Sequence, residues 1–127
     1  MQLKKVDSIN FGYNSILKDL YKQGLLPTVK YGIYGNKLSK KTVSLEHVVP
    51  ASKGGTTKLK NMALADKEAN RTRGNDDINK YLTLSHLKKY LSQFINVKVF
   101  KNKNIIFDGN SYIDNLVDTL HSLNVVV

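Results

Sequence analysis

The spacing of hydrophobic positions switches along the chain between strand-like alternation and a helical period, which predicts an α+β fold. Thr28–Tyr34 alternates and contains β-forming residues, and Thr42–Val49 has the same character. The turn signal Gly35-Asn36 lies between the two segments. The first part of the chain is therefore predicted to form a β-hairpin with a loop of several residues.

Helical spacing and capping residues predict most of the remaining elements. Helices are predicted at about 15–23, 62–73, 83–96 and 111–123, with a further short helix starting at Asp76 and Asp77. Asn14 or Ser15 would cap the first helix, and Ser111 with Asp114 resembles a capping box for the last one. The segments 97–100 and 104–107 are predicted to pair as short strands.

Charge changes this picture, because 20 Lys and Arg residues against 10 Asp and Glu residues give a net charge of +10. Such an excess favours a polyanionic partner, most commonly nucleic acid, although a merely basic protein is the alternative. The absence of cysteine excludes disulfides and thiolate metal sites. No apolar run suits a signal peptide or a membrane span, so we expect a soluble cytoplasmic protein.

The segment 44–75, SLEHVVPASKGGTTKLKNMALADKEANRTRGN, contains the residue types that phosphodiester hydrolysis requires. The imidazole of His47 can act as a general base near neutral pH. Glu46 and the carboxamide oxygen of Asn70 are hard oxygen ligands of the kind that Mg²⁺ prefers. Arg71 and Arg73 can hold phosphates. The loop lysines Lys53, Lys58 and Lys60 would grip a nucleic-acid backbone, or else are only solvated charges.

The order and spacing of these residues resemble the HNH endonucleases, which share the ββα-metal fold. The pattern is Glu46-His47, Pro50, Gly54-Gly55, Asn61, Asn70 and Arg73, and the resemblance covers roughly 31–75. It implies that His47 is the general base, and that Glu46 and Asn70 bind one divalent cation, Mg²⁺ or in its place Mn²⁺. It also implies that Asn61 holds the loop through backbone hydrogen bonds and that Arg73 contacts phosphate.

Two departures from the family pattern are visible. Many members hold a structural zinc with two CxxC pairs, whose positions correspond here to Tyr31, Tyr34, Asp66 and Ala69. No structural zinc is therefore expected, and the C-terminal helices are the candidates for bracing the hairpin. The metal-binding acid is Glu46, where aspartate is more usual in the family.

The resemblance implies a single HNH nuclease domain over 1–127, with a core motif at about 28–75 and an accessory region at about 76–127. The implied activity is metal-dependent cleavage of DNA, most simply double-stranded, by a monomer or homodimer similar to phage or mobile-element members. The alternatives are an inactive DNA-binding module and an RNA-directed nuclease. His86 and His121 lie outside the motif. One geometric question follows, since strand alternation sends neighbouring Glu46 and His47 to opposite faces.

Overall fold

The structure is a computed structural model that describes residues 16–127. The proposed capping residues Asn14 and Ser15 lie outside the described residues. Four helices and two antiparallel two-stranded sheets are present in the described part, in agreement with the α+β prediction. In chain order they are α1 (Ile16–Lys22), β1 (Val43–His47), β2 (Met62–Asp66), α2 (Lys67–Arg73), α3 (Leu84–Ser92), β3 (Lys98–Lys101), β4 (Asn104–Asp108) and α4 (Gly109–Ser122).

The strand β1 forms where Thr42–Val49 was predicted, but its partner is different. It pairs with β2 across a long loop, with Leu45 opposite Leu64. The predicted strand at 28–34 is wrong, because that stretch has only an isolated bridge between Tyr31 and Lys37. A turn closed by a hydrogen bond of 3.0 Å from Gly35 N–H to Gly32 O breaks the extended backbone there. We call residues 30–38 the tyrosine loop.

The predicted helix at 62–73 is wrong in its first five residues, which form β2 instead. Met62 to Ala65 are all buried, and a short, wholly apolar run has no periodicity that separates a strand from a helix. The helix α2 begins only after Asp66. The Oδ2 atom of that residue accepts hydrogen bonds from the backbone N–H groups of Glu68 and Ala69, at 3.0 and 3.2 Å.

The C-terminal elements lie close to their predicted positions, with corrections at their ends. The helix α3 ends at Ser92, before the predicted end near 96. The capping box predicted at Ser111 is wrong, because Asp108 caps α4 by accepting from the N–H groups of Asn110 and Ser111. The expected short helix is a 3-10 turn at Ile78–Lys80. Within residues 16–127, no helix is long and apolar enough to cross a membrane.

Two buried tyrosines join the C-terminal helices to the outer edge of β2. The backbone N–H of Leu64 donates to the Tyr90 hydroxyl at 2.9 Å, and the Tyr112 hydroxyl donates to Met62 O at 2.8 Å. The two hydroxyls are 2.8 Å apart. The Tyr112 hydroxyl has only one proton, which it donates to Met62 O, so the Tyr90 hydroxyl must donate to Tyr112. The donors therefore follow one order, from Leu64 N–H through Tyr90 and Tyr112 to Met62 O. This chain of hydrogen bonds braces β2 from the C-terminal side.

Candidate functional site

Glu46, His47 and Asn70 line one open cavity of ≈ 290 Å³ at the end of β1. Leu45, the loop residues Pro50, Ala51 and Ser52, and the residues Gly74 and Asn75 after α2 complete its wall. Glu46 and His47 both pair in register with β2, opposite Ala63 and Met62, and β1 ends at His47 before the chain turns away at Pro50. Both residues contribute to the wall of the same cavity at the end of the strand.

Glu46 is a buried carboxylate with a defined hydrogen-bond environment. The residue is 3% exposed, and its Oε2 atom accepts a hydrogen bond of 2.6 Å from the Tyr34 hydroxyl. Its Oε1 atom lies 3.3 Å from Nη1 of Arg73. Burial raises the pKa of Glu46 above its ordinary value, while the contacts with Tyr34, Arg73 and the backbone N–H of His47 offset part of that rise.

Arg73 is equally buried, at 2% exposed, and its guanidinium is directed at the end of β1. The Nη1 and Nη2 atoms donate to His47 O at 2.7 Å and to Val48 O at 2.9 Å. The Nε atom donates to Asp76 O at 2.7 Å. A phosphate could reach the Arg73 guanidinium only by displacing its hydrogen bonds to backbone carbonyl oxygens. The geometry therefore favours a role in holding the end of β1 in place. The phosphate contact implied by the family resemblance stays a prediction.

Asn70 lies on α2 with its carboxamide oriented by β1. Its Nδ2 atom donates to Leu45 O at 2.8 Å and to the hydroxyl of Ser44 at 3.0 Å. A carbonyl oxygen only accepts, so the nitrogen must face Leu45 and the Oδ1 atom must face away. Both protons of Nδ2 are thereby used. The oxygen is left as the group that can bind a cation or another donor.

Asn61 holds the loop between β1 and β2 in a closed conformation. Its Oδ1 atom accepts from Val49 N–H at 2.8 Å, and its Nδ2 atom donates to Val49 O at 3.0 Å and to Thr56 O at 2.8 Å. Gly55 packs so closely that a Cβ atom there would lie 1.7 Å from Val49 O. These are loop contacts of the kind that the resemblance implies for Asn61.

His47 is half-buried, and its Nε2 atom is closed to solvent with no hydrogen-bond partner among residues 16–127. Leaving a buried polar atom unpaired costs about 1–3 kcal/mol, so such atoms are rare in native proteins. His47 contributes to the wall of the cavity, but its Nε2 atom is closed to solvent. Proton transfer between Nε2 and a water in the cavity therefore requires the side chain to move.

The donors at the cavity fit a hydrated hard cation better than a cation held by protein alone. Within residues 16–127, no group of three or more His, Asp or Glu side chains is suited to a metal ion. Mg²⁺ usually keeps several waters and takes one or two protein oxygens together with substrate phosphates. Glu46 and Asn70 are the two residues of the cavity wall whose oxygens could form such a pair, because each carboxylate oxygen of Glu46 keeps lone pairs beyond its present contact.

The other predicted nucleic-acid contacts lie at the surface. Lys53, Lys58 and Lys60 are exposed, and Lys53 directly follows the cavity residue Ser52. Arg71 pairs with Glu68 at 3.0 Å, with side chains 75% and 73% exposed. His86 and His121 are exposed and do not line the cavity.

Tyr34 is the site residue that sequence reasoning missed. The family resemblance placed Tyr34 only at a position where many members carry a zinc ligand, and nothing local to the sequence Tyr-Gly-Ile-Tyr-Gly indicates a contact with Glu46. The pairing depends on how the tyrosine loop folds against β2, which the pattern of the segment does not encode.

No protein-family model matches this chain, and no curated protein matches it.

Proposed function

We propose that this protein is a metal-dependent DNA endonuclease of the HNH type, which hydrolyses phosphodiester bonds. The observation that carries the proposal is the convergence of Glu46, His47 and Asn70 on one open cavity. The order β1, loop, β2, α2 supports it, because two antiparallel strands followed by a helix is the arrangement of a ββα-metal core. The net charge of +10 supports a polyanionic substrate.

His47 acts on the attacking water. Its imidazole removes a proton as the water oxygen forms a bond to phosphorus, and the bond from phosphorus to the 3′ oxygen breaks in line. The place of His47 in the cavity wall supports this assignment, because a general base must lie within reach of the water that it deprotonates. The departing 3′ oxygen takes its proton from solvent.

Glu46 and the Oδ1 atom of Asn70 would hold the divalent cation, Mg²⁺ or Mn²⁺. When bound, the cation supplies positive charge to the scissile phosphate and its leaving oxygen. Arg73 positions the Glu46 carboxylate through their ion pair. It also positions the end of β1 through hydrogen bonds to the carbonyl oxygens of His47 and Val48. Asn61 keeps the loop of the cavity wall in place.

Exposed basic residues bind the DNA backbone in this proposal. Lys53, Lys58 and Lys60 lie on the loop that contributes to the cavity wall, and Arg71 lies one residue after Asn70. Each phosphate neutralised releases counterions, so binding weakens as salt rises.

A plasmid-nicking assay tests the proposal. Supercoiled plasmid is incubated with wild type and with His47→Ala across a Mg²⁺ and Mn²⁺ series, and circular dichroism checks that the variant is folded. We expect metal-dependent nicking by wild type, and a loss of about 10²–10⁴-fold in rate for His47→Ala, the usual contribution of a general base. An unchanged rate in the folded variant would overturn the role of His47.

A second candidate is a DNA-binding module without turnover. The observations that favour it are the closure of His47 Nε2 to solvent and the engagement of both Glu46 oxygens by Tyr34 and Arg73. Salt-dependent DNA binding by wild type, with no product at any metal concentration, would establish this candidate. A parallel RNA substrate in the same assay tests the RNA-directed alternative.

A further inference from the structure

The hydroxyl of Tyr34 donates a short hydrogen bond of 2.6 Å to Oε2 of Glu46, the carboxylate that lines the cavity. Both residues are buried, and Tyr34 belongs to the tyrosine loop rather than to β1 or α2. We infer that Tyr34 is a positioning residue that fixes the Glu46 carboxylate for binding a divalent cation, an inference that rests on the proposed function. The tyrosine would act through Glu46 and would touch neither metal nor DNA.

The hydrogen bond restricts the orientation of the Glu46 carboxylate. A tyrosine hydroxyl keeps its proton at neutral pH, so Tyr34 is the donor and the Glu46 carboxylate the acceptor. Arg73 approaches the other oxygen, Oε1, at 3.3 Å. With one donor on each oxygen, the carboxylate has little rotational freedom, and its remaining lone pairs have fixed directions.

The tyrosine loop is itself held firmly against β2. Ile33 N–H donates to Leu64 O at 2.9 Å, which attaches the loop to the outer edge of the strand. Gly32 packs so closely on β2 that a Cβ atom there would lie 2.9 Å from the Cα atom of Ala65. Gly35 has a φ of +93°, which lets the chain turn directly after Tyr34. The position of the Tyr34 ring is therefore set by backbone contacts on both sides.

The side chain of Gln93, just after α3, attaches the loop to the C-terminal region. Its Oε1 atom accepts from Lys30 N–H at 2.7 Å and from Tyr31 N–H at 2.8 Å, and its Nε2 atom donates to Tyr31 O at 2.9 Å. The ammonium group of Lys89 lies 3.6 Å from the centre of the Tyr31 ring. A continuous set of contacts thus runs from α3 through the tyrosine loop to the carboxylate of the site.

Conservative removal of one hydroxyl tests this inference. Tyr34→Phe keeps the buried ring and deletes only the donor to Glu46. Tyr31→Phe is the matched control, because it deletes a hydroxyl in the same loop that makes none of the hydrogen bonds found among residues 16–127 and keeps the ring under Lys89. Mn²⁺ binding is measured directly from the loss of the free-ion EPR signal, without DNA, at a temperature where all variants are folded. The dependence of nicking rate on Mn²⁺ concentration is measured in parallel.

We expect Tyr34→Phe to weaken Mn²⁺ binding about 10- to 100-fold, the usual effect of losing a partner that orients a metal ligand. The Mn²⁺ concentration for half-maximal nicking should rise by a similar factor, with most of the rate recovered at saturating Mn²⁺. Tyr31→Phe should match wild type in both measurements. A purely structural role for Tyr34 would lower thermal stability without this shift in metal dependence.

Two results would overturn the inference in distinguishable ways. If wild type binds Mn²⁺ and nicks DNA, and Tyr34→Phe does so with the same metal dependence, Tyr34 has no positioning role and the proposed function stands. If wild type neither binds Mn²⁺ nor nicks DNA, the proposed function fails and this inference fails with it.

Discussion

Arg73 and Glu46 form an ion pair that is buried on both sides, with Nη1 and Oε1 3.3 Å apart and side chains 1% and 4% exposed. The same guanidinium donates to two carbonyl oxygens at the end of β1. The arginine therefore both compensates the buried carboxylate and holds the backbone that carries the site.

Loss of Arg73 is expected to destabilise the fold. Arg73→Ala leaves Glu46 charged and partly uncompensated in a buried site, and breaking a buried pair in this way costs about 3–5 kcal/mol. The free energy of unfolding in urea measures the effect. Arg71→Ala is the control, because its ion pair with Glu68 is exposed and should contribute less than about 1 kcal/mol. Equal destabilisation by the two substitutions would contradict the structural role assigned to Arg73.

Asn61→Ala should destabilise the protein by about 1–3 kcal/mol, because the buried Asn61 side chain hydrogen-bonds both backbone groups of Val49. Nicking should fall as well, since the loop contributes Pro50, Ala51 and Ser52 to the cavity wall. Urea unfolding and the plasmid assay measure the two effects. Asn115→Ala, at an exposed position of α4, should stay within about 0.5 kcal/mol of wild type. A fully stable Asn61→Ala variant would show that the loop does not depend on this side chain.

The two tyrosines that brace β2 are expected to be energetically coupled. Tyr90→Phe removes the acceptor for Leu64 N–H, and Tyr112→Phe removes the donor to Met62 O, so each should cost about 1–3 kcal/mol. Because the hydroxyls also bond to each other, the double variant should differ from the sum of the singles by about 0.5 kcal/mol or more. Strictly additive free energies of unfolding would show that the chain of hydrogen bonds does not act as a unit.

Lys53 is expected to contact DNA phosphate, because it follows the cavity residue Ser52 and is exposed. Lys53→Ala should weaken binding and reduce the slope of log affinity against log salt by about 0.9 for one lost phosphate contact on duplex DNA. Fluorescence anisotropy with labelled duplex at several salt concentrations gives the slope. Lys103→Ala makes the same change of charge at the turn between β3 and β4, and an identical slope change there would indicate only a general charge effect.

Local signals predicted the elements whose identity depends on nearby residues. The strand β1, the helix α3 and the pair β3–β4 lie close to their predicted positions, because spacing and turn residues act within a few positions of each other. The turn Asn102-Lys103 has positive φ at both residues, as a tight hairpin requires. The partner of β1 could not be found in this way, since Met62–Ala65 is a short buried run without periodicity.

The residues of the site also divide into those that the local sequence predicted and those whose role depends on tertiary packing. The motif brought Glu46, His47 and Asn70 to attention, and the structure brings them to one cavity. The inward direction of Arg73 and the hydrogen bond from Tyr34 to Glu46 depend on tertiary packing. Neither contact follows from residue type or spacing, so the supporting residues of the site could be named only from the fold.

The hydrogen bonds that Tyr90 and Tyr112 make to β2 also protect the outer edge of this strand from pairing with another molecule. An exposed strand edge offers free N–H and C=O groups that can recruit a strand from another molecule and start aggregation. On the outer edge of β2, the N–H of Leu64 donates to the Tyr90 hydroxyl, and the Tyr112 hydroxyl donates to Met62 O. The carbonyl oxygen of Leu64 accepts from Ile33 N–H. The C-terminal helices and the tyrosine loop thus shield the strand that precedes α2 from self-assembly between copies of the protein.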